Sequence, residues 1–216
     1  MSDTQSRPSA VPTVRGMPEP PGRAEKDAIA SLSNEELVAR YRYGVANFDQ
    51  RLFTLDDELA DTAFLPDAGV GNWPCRVLVG HLADDELANA HRVRKILAEE
   101  KPMLQAWDEH AFIDAGLYAK HASPIGGYVA LIYTLRIWHS ELLSSLDDAQ
   151  WLRTGMHVEH GERSIIEIVR YSAWHLERHA WFLNKKIRHM LGDPEVCNDR
   201  PKGKACGPAC GCHPAE

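Results

Sequence analysis

Apolar side chains recur at three- and four-residue steps through most of the chain, and strict alternation is almost absent. Behind Ser33-Asn34-Glu35-Glu36, a capping-box start, Leu37, Tyr41, Val45, Phe48, Leu52, Leu55 and Leu59 keep that rhythm, which predicts one long amphipathic helix. Pro66 and Gly69 to Gly71 are turn signals. Trp73-Pro74 then opens a second helix, with proline at its first position, that runs until Lys101-Pro102 stops it. Ser123-Pro124 opens a third, with Tyr128, Leu131, Ile132, Leu135, Trp138, Leu142 and Leu146 on one side. A fourth, from Ser164 to about Arg188, carries Ile165, Ile168, Ser172, His175, His179, Phe182 and Leu183 along one broad stripe.

Four long helices with no repeat of fixed period predict an all-α, up-down four-helix bundle. The segment 102–122 exceeds a minimal connection and is expected to cap one end of the bundle. Trp151 to Arg163 reads as a short extended excursion with a turn at His160-Gly161, or as a loop. Residues 1–30 hold five prolines among small polar side chains and are expected to form a flexible leader. From 192 to 216, prolines and glycines alternate with cysteines, so the foldable domain is set at 31–191. The tail offers almost no apolar surface, and its removal is expected to leave the fold intact.

Composition and charge narrow the function classes. An ordinary share of apolar and charged residues excludes collagen-like, mostly disordered and disulfide-scaffold chains. The net charge of −7, with no block of Lys or Arg, argues against nucleic acid as a partner. No apolar run is long enough to span a bilayer, and the N-terminus lacks a secretory h-region. Four of the five cysteines lie after Asp193, where they cannot staple the core, so a reducing, cytoplasmic compartment is expected. The expected partner is a small-molecule substrate, with neither nucleic acid nor membrane; a homodimer fits equally well.

His175 and His179 are four residues apart on a helix, so both imidazoles leave one face and are close enough to share a metal ion. A bare HxxxH also occurs by accident on helix surfaces. Here the pair replaces apolar residues between Ile168 and Phe182, so it points inward and needs partners. Val77, Leu78, Ala88 and Ile96 turn His81 inward in the same way, either as a hydrogen-bonded core histidine or as a third ligand. Facing helices are where bundles build metal sites. One turn beyond His81, Asp84 and Asp85 can orient an imidazole or serve as a base; a solvated acidic face is the alternative, above all for Asp85.

Two stretches carry a family resemblance. Trp73-Pro74-Cys75-Arg76-Val77-Leu78-Val79-Gly80-His81-Leu82-Ala83-Asp84, continuing to Asp108-Glu109, resembles the second helix and cap of the DinB/YfiT superfamily. The stretch from Arg153-Thr154 through His157 and Gly161-Glu162 to Ala173-Trp174-His175-Leu176-Glu177-Arg178-His179 is similar to the last helix of that family and the segment before it. The resemblance spans about 34–188. It implies a four-helix bundle with one metal on three histidines, which fall on His81, His175 and His179, and it carries no implication of DNA binding.

Three neutral imidazoles leave a coordination position open, as catalytic sites do. The chemistry implied by the family is hydrolysis, or transfer of a low-molecular-weight thiol such as bacillithiol or mycothiol to an electrophile. Both need a Lewis acid that lets water or thiol attack as an anion near neutral pH. All-histidine ligation suits a divalent ion, zinc or nickel foremost, with a thiol as possible co-substrate. Asp84 is the candidate catalytic carboxylate, with a closing fourth ligand as its other role. The rival class is a non-catalytic protein that buffers, delivers or senses metal; a module with a purely structural metal is a third.

Other residues carry less. His157 and His160 are expected in solvent, with reach to the mouth of the site as the alternative for His157, which falls in the segment similar to the family; His91 is expected in core or surface hydrogen bonds, and His110, His121, His139 and His189 on the surface. Trp107 and Trp138 are core or pocket walls. Cys197, Cys206, Cys210, Cys212 and His213 group soft and borderline ligands without matching a standard zinc template. Cys75 is a small buried hydrophobe.

Overall fold

The computed structural model describes residues 20–119 and 123–194. The N-terminal leader up to 19, His121 and the cysteine-rich tail from 195 onward therefore lie outside the described residues. The second, third and fourth predicted helices are present as α4 (Cys75–Ala98), α6 (Ile125–Ser144) and α8 (Ile165–Leu191). Local chemistry sets their ends. Pro74 and Pro124 stand just before α4 and α6. Ser164 and Glu167 form a capping box at the start of α8, with the Ser164 amide donating to Glu167 Oε2 at 2.8 Å. At its far end Gly192 adopts φ 79°, a conformation that glycine takes without strain.

The first helix is much shorter than its periodicity predicts. Ser33 and Glu36 do form a capping box, but α2 (Asn34–Arg42) ends there, and the chain continues as 3₁₀ turns over Gly44–Asn47 and Gln50–Thr54 before a short α3 (Asp57–Ala60). Phe48 and Leu52 still reach the core, because successive tight turns also return apolar residues every three to four positions. Gly44 lies against the Arg136 guanidinium, 2.5 Å from where a Cβ would stand, and Asn184 Oδ1 accepts the Asp49 amide at 2.8 Å. The chain is thus tied down where a straight helix would leave the core.

The leader boundary also moves. Arg23–Ala30 is a helix, α1, whose Ile29 is buried. It is fastened to α8 by Trp174 Nε1 donating to Gly22 O at 3.1 Å and by Arg178 Nη1 donating to Pro21 O at 2.9 Å.

The bundle is α2, α4, α6 and α8. Both α2 and α4 contact α6 and α8, so the ring order is α2–α6–α4–α8, and successive bundle helices do not all sit side by side. On α6 the buried positions are Ile125, Val129, Ile132, Arg136, His139, Ser140 and Leu143, whereas Trp138 is half exposed. The buried face is rotated from the predicted one because a charged residue, Arg136, occupies a core position. Its Nε donates to Glu86 Oε2 at 2.7 Å, and its amino groups donate to the Tyr41 and Ser172 carbonyls at 2.8 Å each. Tyr41 Oη also bonds Glu86, and His139 Nδ1 lies 3.3 Å from that hydroxyl. His139 is therefore buried, contrary to the surface placement expected for it. This polar layer lies between two apolar clusters, one around Leu78, Ile132 and Leu183 and the other around Leu37, Ile96 and Val169.

A three-stranded sheet is added to the all-α plan, in the order β1 (Met103–Leu104), β2 (Thr154–His157), β3 (Gly161–Ser164). The expected extended excursion is the β2–β3 hairpin, with His157 opposite Gly161. The predicted cap supplies β1, which pairs parallel to β2, and α5 (Glu109–Asp114). Met156 N donates to Pro102 O at 2.8 Å and Val158 N to Leu104 O at 3.1 Å. A last short helix, α7 (Asp148–Trp151), leads into the hairpin. No helix among the described residues is long and apolar enough to cross a membrane.

Candidate metal centre and its cavity

α4 and α8 bring His81, His175 and His179 together. His81 Nε2 lies 3.4 Å from His175 Nε2, and His179 Nε2 lies 2.9 Å from the same atom. One nitrogen from each ring falls within 4.8 Å of the other two. Three imidazoles around an ion at about 2.0–2.1 Å would hold their nitrogens at comparable separations.

The three rings are set by aromatic neighbours that the sequence did not single out for this task, apart from Trp107. Trp73 stacks on His179 with 9° between the planes, and Tyr171 stacks on His175 with 16°. Trp107 lies 5.4 Å from His81, centroid to centroid, as a wall of the cavity. Burial, followed by the charge that His175 can carry, pushes His81 down to about 4. Burial and the other two imidazoles push His179 down further. Both rings are therefore neutral near pH 7, with lone pairs to offer.

His175 has a dedicated partner. Its Nδ1 lies 3.0 Å from Asp85 Oδ2, so that nitrogen carries the ring proton and Nε2 presents its lone pair to the cluster. Burial alone would raise Asp85; the charge and hydrogen bond of His175, then His81 and Arg92, outweigh it and hold the carboxyl below its usual range. Asp84 stays away from the imidazoles. Its Oδ2 accepts from the Tyr118 hydroxyl at 2.6 Å, and burial raises its pKa against that bond. Of the two adjacent carboxylates, the one four residues after His81 faces α8 and the one three residues after it faces Tyr118. The carboxylate in contact with the histidines is Asp85, and Asp84 bonds Tyr118 instead.

His81 Nδ1 has no hydrogen bond, and Glu109 Oε2 stands 3.5 Å from it. The cluster opens into a cavity of about 1010 Å³ that also reaches Asn89, Arg92, His157 and Arg163. His157, expected in solvent, is 7% exposed and stacks on His160 at 4.7 Å, because pairing of β2 with β1 draws it under the cap. His157, Glu159 and His160 form a second group with ligand atoms within 4.8 Å of one another, two of its members exposed. His110 and His189 are exposed as expected, His91 is exposed as well, and Cys75 is fully buried. Asn89 and Arg92 were not foreseen; their signal is the stripe they share with His81 and Asp85 on α4.

The sequence profile of the DinB superfamily matches residues 23–183. A protein of Oceanobacillus iheyensis provisionally named a metal-dependent hydrolase is 31% identical over 125 residues, 58% of this chain and 69% of that protein. YfiT of Bacillus subtilis, named in the same provisional way, is 29% identical over 166 residues, 76% of this chain and 90% of its own. A solved structure of YfiT, described as having an unusual four-helix bundle topology, superposes with a TM-score of 0.66 at 24% identity, covering 74% of this chain and 90% of that one. The structural likeness bears on the fold.

Proposed function

Since the chain belongs to the DinB superfamily, we propose that it is a metal-dependent enzyme acting on a small molecule, with His81, His175 and His179 holding one divalent ion, zinc or nickel. The observation that carries this reading is the convergence of three imidazoles at the end of a roomy cavity, one of them held in its ligating tautomer by Asp85. The cavity favours an enzyme over a protein that stores or passes on metal, because storage has no use for a chamber large enough for a drug-sized molecule.

When bound, the ion supplies Lewis-acid chemistry that makes water or a thiol nucleophilic near neutral pH. The chain's own groups do the rest. Asp85 keeps the proton on His175 Nδ1. Trp73, Trp107 and Tyr171 crowd the cluster and limit bulk water. Glu109, lining the cavity beside His81 and partly exposed, is placed to take up the proton that water or thiol gives up. Hydrolysis and thiol transfer both fit these groups, and the relatives' names favour hydrolysis.

Elemental analysis of the full chain, with Cys197, Cys206, Cys210 and Cys212 replaced by serine, tests the site. About one metal per chain is expected, with loss of that metal in His175→Ala. Stoichiometric metal that persists in the variant overturns the assignment. Turnover of ester substrates without thiol separates hydrolysis from transfer.

A further inference from the structure

The cavity wall on α4 carries His81, Asp85, Asn89 and Arg92 at steps of four, four and three residues, one continuous stripe. At about 1.5 Å per residue, Arg92 stands roughly 16 Å along the helix axis from His81, and its side chain leans back toward the N-terminus. The opposite wall, on α8, runs from His175 through Tyr171 to Ile168. The cavity is thus elongated, with the imidazole cluster at one end.

At the other end the hydrogen-bond donors of Asn89, Arg92, His157 and Arg163 gather, with a carboxylate oxygen of the exposed Glu159 within 4.8 Å of a His157 nitrogen. Asn89 is 4% exposed, and its Oδ1 accepts from Arg92 Nη1 at 2.9 Å. A guanidinium only donates, so this contact fixes which atom is the oxygen. The amide nitrogen of Asn89 is then a buried donor with no partner among the described residues. Arg92 gives its other amino group to Gln105 O at 2.7 Å, and it forms no ion pair among the described residues. His157 Nδ1 accepts the Glu159 amide at 3.2 Å, which leaves the ring proton on Nε2 as a further donor. Arg163 also lines this end and donates to the Glu162 carbonyl. Nearby carboxylates are engaged or outside: Asp85 holds His175, Glu167 caps α8, and Glu159 is exposed. Buried donors of this kind are ordinarily satisfied, and a partly buried guanidinium ordinarily has a counterion.

We infer that Arg92, Asn89 and His157 form a subsite for an anionic oxygen group, a carboxylate or phosphate. The substrate is then an elongated small molecule whose anionic group lies on the order of 10 Å from the bond that reacts at the imidazole end. Placing the reacting bond there rests on the proposed metal-dependent function; the subsite itself does not.

The test uses metal-free, full-length protein titrated with inorganic phosphate and with propionate, and with propionamide as the neutral control, followed by calorimetry and amide chemical shifts. At least one anion is expected to bind, the tighter one naming the group, and propionamide is expected not to. Arg92→Gln is expected to weaken anion binding at least tenfold with an unchanged circular dichroism spectrum. Asn89→Leu is expected to weaken it several-fold and serves if Arg92→Gln does not fold. Equal binding of the neutral amide, no binding of either anion, or anion binding that survives in the folded Asn89 and Arg92 variants overturns the subsite. Because no metal is present, failure of the histidine cluster to hold an ion does not alter the outcome, and failure here leaves the metal analysis standing.

Discussion

Asp85 Oδ2 and His175 Nδ1 are 3.0 Å apart in a buried setting, and that single contact determines which ring nitrogen faces the cluster. Without it, His175 is free to adopt the other tautomer, with the proton on the nitrogen that should ligate. Asp85→Ala is expected to lower metal affinity by about 10–100-fold, measured by competition with a chelator. Asp84→Ala is expected to leave the affinity nearly unchanged, because Asp84 bonds Tyr118. Equal effects of the two substitutions would show that the contact does not control ligation.

Glu86 and Arg136 face each other with both side chains almost fully excluded from solvent. Glu86→Ala leaves the guanidinium uncompensated in the core, and such losses cost about 3–5 kcal/mol. Urea denaturation should show a lower midpoint with a similar slope. A change below about 1 kcal/mol would mean that water or another group replaces the carboxylate with ease.

His139 supplies a pH dependence. Burial, then the charge of Arg94, depresses its pKa to about 4 from the ordinary 6.5. Between those values the unfolded chain binds the proton and the folded chain does not, so stability is complete above about 6.5 and declines as the pH falls toward 4. The size is on the order of 3 kcal/mol for this ring alone. Thermal unfolding of metal-free protein across this range should show the decline, and His139→Leu should reduce its slope, the depressed His81 and His179 keeping the remainder. The depressed His157 adds a slope of the same sign.

Two glycines should respond oppositely to alanine. At Gly80 a Cβ would run into the ring of Tyr118, whereas at Gly126 nothing lies within 4 Å. Relief from glycine's helix penalty is worth about 0.8–1 kcal/mol, and overfilling a core costs about 1–3 kcal/mol. Gly80→Ala is thus expected to be destabilised and Gly126→Ala slightly stabilised, as differences in melting temperature. Stabilisation of Gly80→Ala would show that Tyr118 moves aside freely.

Three of the four bundle helices, α4, α6 and α8, were legible because proline and capping residues mark their starts and apolar periodicity runs their full length. The convergence of His81, His175 and His179 was legible as an inward face on two helices. The break after Arg42 was not, since 3₁₀ turns and α-helix return apolar residues at nearly the same interval. The buried face of α6 was misplaced because Arg136 is a core residue only in the company of Glu86, a partner 50 positions away. Asp84 and Asp85 were indistinguishable in sequence, as residues three and four places on share a helix face with His81; only the placement of α8 and Tyr118 separates them.

The pairing of β1 with β2 has a consequence for how this chamber diversifies. Its roof is fastened by main-chain bonds from Met156 and Val158 to Pro102 and Leu104, and those bonds are indifferent to side-chain identity. The side chains of Trp107, Glu109 and His110, which follow directly and line the chamber, are therefore released from holding the enclosure shut. Where such a side chain does not also serve the histidine cluster, as at His110, a lineage can exchange it, and with it the molecules accepted, while inheriting the same roof.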